Sequence, residues 1–92
     1  MKLQIKKYKL GRCGDYTVEM PYGSIVLSVK NCNDDPALFV VSDQNSTICS
    51  RRFFVFNTEQ EIATKDINHL KFIGTVQDEW SLVEWHVFEY TY

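Results

Sequence analysis

The closing segment LVEWHVFEYTY (82–92) changes character at almost every residue, and the same alternation recurs along most of the chain. Successive side chains of a strand point to opposite faces, so a period of two demands sheets. Val83, Trp85 and Val87 fall on one face of the last segment, with Glu84, His86, Phe88 and Tyr90 on the other. Tyr16, Val18 and Met20 share a face in YTVEM, and RRFFVF sets Phe54 and Phe56 against Phe53 and Val55. Between these runs stand GRCGD, PYG, NCNDDP, QNSTICS and DEW, rich in residues that favour turns. Short turns make antiparallel pairing the default. The expected fold is mainly β: a small antiparallel β-sandwich or partly closed barrel of about seven strands with one short helix.

Individual segments carry finer expectations. LQIKKYKL puts Leu3 and Ile5 on one face and Tyr8 and Leu10 on the other, which predicts a bulge or twist near Lys6-Lys7. SIVLSVKN would turn Ile25, Leu27 and Val29 inward. The apolar run ALFVVSD reads as a central strand covered on both sides, and Gly74 inside KFIGTVQ marks a bulge or close approach. EQEIATKDINHL is the helix candidate, capped by Thr64, with Ile67 and Leu70 on its buried side.

A chain of 92 residues makes one domain, residues 1–92. Such a domain buries only about 60–65% of its unfolded surface, which leaves little room for an enclosed catalytic cleft. No apolar run reaches the length of a membrane span, and MKLQIKKYKL lacks the apolar core of a signal peptide. The expectation is a soluble intracellular protein. Cys13, Cys32 and Cys49 are odd in number and form no C-x-x-C pair, as dispersed thiols of a reducing compartment would. Asn45-Ser46-Thr47 is then a polar turn. Residues 1–14 carry Lys2, Lys6, Lys7, Lys9 and Arg12 without an acid, whereas residues 59–92 carry seven acids against Lys65 and Lys71. The expected explanation is that the two segments face each other across paired strands. A pI near 5.6 argues against a general nucleic-acid binder.

No residue set reads as catalytic. Glu84 and His86 lie two apart on one strand face, too far for a firm hydrogen bond unless both lean in, and no serine sits in a nucleophile elbow. His69 and His86 lack the further ligands a metal would need, and there is no phosphate-binding glycine motif, so neither metal nor cofactor is expected. Thirteen aromatics are more than a small core can enclose. Exposed tyrosine and tryptophan bring large contact area at low entropic cost, which favours binding over catalysis. The candidate protein-binding residues are Glu79, Trp80, Glu84, Glu89, Tyr90 and Tyr92, with the acids standing in for nucleic-acid phosphates. A second candidate is a homo-oligomer holding a nucleotide. There Lys6, Lys9, Arg51 and Arg52 would meet phosphates, Tyr8 or Phe53 would stack on a base, and His86 would touch the ligand.

KYKL (7–10), VEMPYGSIVLSV (18–29), ALFVV, RRFFVFNTEQEI (51–62), LKFIGTVQ (70–77) and VEWHVFE (83–89) together resemble a family of small phage- and prophage-encoded domains of unknown function. The resemblance lies in the order and spacing of K-Y-x-L, MP-x-G, F-I-G-T and H-V-F-E. The chain departs from it at FNTEQ, where a glycine usually follows the threonine, and in the YTY tail. What the resemblance implies is a viral setting in the host cytoplasm. The protein would be a host-takeover or anti-defence factor binding a host defence protein stoichiometrically. The alternatives are an oligomeric sponge for a nucleotide signal or an accessory virion part.

Overall fold

The computed structural model describes residues 1–62, 67–80 and 82–91. Its strands are β1 (Leu3–Lys9), β2 (Gly14–Pro21), β3 (Ile25–Cys32), β4 (Asp35–Asp43), β5 (Ile48–Asn57), β6 (Leu70–Gln77) and β7 (Glu84–Tyr90). They form two antiparallel sheets, β1-β4-β3 (sheet A) and β2-β5-β7-β6 (sheet B). The chain is mainly β, and the sheets do not close into a barrel. Among the described residues the only helical element is a 3₁₀ turn, Ile67–His69. Ile67 is exposed and Leu70 opens β6, so neither packs from a helix; Thr64 lies outside the described residues.

The turns follow from residue chemistry. Asn33 and Asp34 both take positive φ, which makes the two-residue turn of the β3–β4 hairpin. Gly23, at φ +81°, lets the chain cross from sheet B to sheet A. Ser24 fixes that corner, donating to the Pro21 carbonyl and sharing a 2.7 Å hydrogen bond with Ser42.

The inner faces meet in one core of Leu10, Met20, Leu38, Val40, Phe53, Val55, Val76, Trp85 and Val87. The alternations of β2, β5 and β7 therefore have the expected parity. Two expectations need correction. The β1–β4 ladder runs unbroken from Leu3 to Lys9, without a bulge at Lys6-Lys7. Tyr8 and Leu10 face the core, while Leu3 and Ile5 lie on the exposed outer side. The bulge falls instead in β3, between Val26 and Ser28. It resets the parity, so Val26 and Val29 both pack on the core and Ile25 and Leu27 are exposed. β4 is central in sheet A, with Leu38 and Val40 fully buried and Phe39 and Val41 half-buried on the outer side.

A second bulge lies between Phe72 and Gly74 of β6. Here the sheets approach edge to edge. A Cβ built on Gly74 would lie 2.7 Å from Val29 Cγ1, and Asn31 Nδ2 donates to the Gln77 carbonyl at 3.0 Å. β3 and β6 therefore run side by side in the same direction. They are not neighbours in a ladder, and each is kinked by a bulge where the other passes.

Candidate functional site

The outer face of sheet B carries an aromatic surface built by register. Phe54, Phe88 and Phe72 stand opposite one another on β5, β7 and β6, forming a row across three strands. The next row is Phe56, His86 and Thr75, and the one on the other side is Arg52, Tyr90 and Leu70. The rings touch in sequence. Phe54 stacks on Phe56 with centroids 5.7 Å apart, Phe88 meets Phe56 at 5.9 Å and Phe72 at 5.4 Å, and Tyr90 meets Phe54 at 6.2 Å. His69, from the 3₁₀ turn, stacks on Tyr90 at 5.6 Å and bonds through Nδ1 to the Thr91 carbonyl oxygen at 2.8 Å. Phe72 is 56% exposed.

Polar groups on this face are held in place. The Arg52 guanidinium lies 4.8 Å from the Phe54 ring centroid and 5.5 Å from that of Tyr90. Its Nε donates to Asp15 Oδ1 at 2.9 Å, and this hydrogen bond holds the Asp15 carboxyl below its ordinary pKa. Both ring nitrogens of His86 are engaged by hydroxyls, Nε2 with Thr58 at 2.6 Å and Nδ1 with Thr75 at 2.9 Å. Threonines, not a carboxylate such as Glu84, thus hold the His86 ring.

Arg51, one residue from Arg52, points inward. Its Nε and one terminal nitrogen donate to the two carboxylate oxygens of Glu89 at 2.6 and 2.7 Å, and the other donates to the Ser24 carbonyl at 2.5 Å. The bond to Glu89 raises the Arg51 pKa further. The pair borders a cleft of about 240 Å³ between β3 and β6, lined also by Ile25, Leu27, Lys71, Phe72 and Ile73.

The candidate residues do not converge. Glu79, Trp80 and Glu84 cluster at the β6–β7 turn, whereas Tyr90 is at the opposite end of β7, about 20 Å along the strand. Glu89 is buried against Arg51 and absent from the outer surface; Tyr92 lies outside the described residues. In the nucleotide set, Lys6, Tyr8 and Lys9 belong to β1 in sheet A, while Arg51, Arg52 and Phe53 belong to β5 in sheet B. Phe53 is 0% exposed and offers no ring to a base. The outer-face residues Phe56, Phe72 and Phe88 had no place in either set. Their parity is visible in the sequence, but their union needs the β5-β7-β6 order. Among the described residues, no three of His, Cys, Asp and Glu gather closely enough to hold a metal ion.

A family model spans residues 1–92, the whole chain. The chain belongs to DUF7352, a domain of unknown function. No curated protein and no solved structure matches it. The DUF7352 match includes every strand of both sheets, the aromatic face and the β6–β7 turn alike.

Proposed function

We propose that this DUF7352 chain is a small non-enzymatic binding protein that docks a protein partner, one to one, on the outer face of sheet B. The observation that carries the reading is the Phe54–Phe88–Phe72 row, three rings across three strands with Phe72 more than half exposed. Rings already ordered against one another lose little further freedom on binding, and aromatic clusters of this kind dominate protein interfaces. Arg52 and Asp15 neutralise each other beside them, so neither leaves an unpaired charge next to the rings. The likeness of the motifs to phage-encoded domains supplies the setting: the partner would be a host protein, with defence components the first class to test. The sponge reading has less support, because Arg51 is already bound by Glu89 and Ser24 and Phe53 has no exposed surface.

The test is capture from host lysate by the wild type, Phe72→Ala and Phe72→Ala/Tyr90→Ala. The partner should be retained by the wild type, at least tenfold weaker with Phe72→Ala, and lost with the double variant. Each variant should keep its fold, since an exposed aromatic cross-strand pair contributes less than about 1 kcal/mol. Undiminished capture by the double variant would remove the aromatic face from the function. A thermal shift with a cyclic dinucleotide would move the assignment to the sponge.

A further inference from the structure

The β6–β7 turn is built to hold apolar side chains in solvent. Asp78 is buried; its Oδ1 accepts from the Trp80 amide at 2.9 Å, and its Oδ2 lies 3.6 Å from an Arg12 terminal nitrogen. Its backbone carbonyl accepts from the Leu82 amide at 3.2 Å, and its amide donates to Val83 at 2.9 Å. Leu82 sits at φ +60°, a left-handed conformation that costs an L-residue energy. The outcome of this anchoring is that Trp80 is 84% exposed and Leu82 69% exposed. Glu79 and Glu84 flank them, both exposed, and neither forms an ion pair among the described residues.

A complementary surface lies at the opposite end of the strands. The cleft between β3 and β6 is walled by Ile25, Leu27, Phe72 and Ile73, with Lys71 beside them and with Ser24 and the Arg51–Glu89 pair completing the lining. At about 240 Å³ it falls below the usual size of a small-molecule pocket and suits one large side chain. Lys71 is exposed and likewise forms no ion pair among the described residues. Eight-residue strands separate the two features by roughly 25 Å, so a copy cannot fill its own cleft.

We infer that the chain associates with itself head to tail: Trp80 of one copy seats in the β3–β6 cleft of the next, with its Glu79 against Lys71. Glu79 and Lys71 are opposite in charge, and the Trp80 ring would meet Ile25, Leu27, Phe72 and Ile73, with the Arg51–Glu89 pair, already mutually neutralised, beside it. The contact is heterologous, each copy using two different surfaces, so it propagates into a short chain or closes into a ring. One turn in one cleft is a small interface, of the weak and transient class. Phe72 belongs to both surfaces, as a wall of the cleft and as the exposed ring of the aromatic row, so the test uses Trp80 and Leu27, which lie outside that row.

Sedimentation equilibrium over a concentration series up to ~1 mM tests it. Mean mass should rise with concentration beyond that of a dimer and fall back at high salt. Trp80 emission should shift to shorter wavelength in step, because Trp85 is already buried. Trp80→Ala and Leu27→Glu should each be monomeric with unchanged melting curves. An equimolar mixture should form a heterodimer and stop there, because each variant keeps one intact surface. A wild type that stays monomeric throughout the series would overturn the inference. So would association that survives Trp80→Ala, or a mixture of the two variants that stays monomeric.

Discussion

Two adjacent arginines show how much depends on one step of the strand. Arg51 faces in and is locked bidentately to buried Glu89; Arg52 faces out and is paired with Asp15 at the surface. Removing one partner of a buried pair leaves the other charge uncompensated. Arg51→Ala should therefore cost about 3 kcal/mol in urea unfolding, whereas Arg51→Ala/Glu89→Ala should cost less than the single change. Arg52→Ala should cost about 1 kcal/mol or less, as exposed pairs do. The Asp15 carboxyl is held below its ordinary pKa by Arg52, so the folded state binds its proton less readily than the unfolded chain does. The stabilisation is present above about pH 4 and is lost as pH falls through the lowered folded value. The melting-temperature difference between wild type and Asp15→Asn should thus be measurable at pH 6 and vanish on acidification. The doublet was legible in the sequence as a pair of cations opening an aromatic strand. The acid on each was not, because Glu89 and Asp15 come from strands distant in the chain.

At the scale of the element, period-two patterning identified strands better than it identified their faces. β2, β5 and β7 keep one parity from end to end, and their inner residues were readable directly. β3 does not, because its bulge lies among apolar residues that carry no glycine to mark it. Gly74 did mark its bulge, and Val29 gives the physical reason. A methyl group there would be forced against a β-branched side chain whose χ1 is restricted. Gly74→Ala should cost about 1–3 kcal/mol by overpacking. In a double-mutant cycle, Val29→Ala should recover part of that loss, with a coupling of at least about 0.5 kcal/mol. Additive losses would mean that the two residues do not share the seam.

For the molecule as a whole, the uneven charge of the sequence has a different meaning from the one its order implied. Among the described residues β1 is an edge strand whose only ladder neighbour is β4, so its lysines do not face the described acids of residues 59–92 across paired strands. Among the described residues Lys2, Lys6, Lys7 and Lys9 form no ion pair at all. Strand order was not recoverable from alternation, which fixes faces but not neighbours. The same order makes most ladders long in sequence, β1 with β4 and β2 with β5 among them. Refolding should therefore take milliseconds to seconds in stopped-flow fluorescence, slower than helical chains of this size. Cys13, Cys32 and Cys49 are all free, so a reductant should leave the melting curve where it was. The parallel approach of β3 and β6 has one more consequence. Strands that lie together without exchanging ladder hydrogen bonds are indistinguishable from a sheet in outline but not to deuterium. The β3 and β6 amides directed across this gap should take up the isotope orders of magnitude sooner than those of β4 and β7.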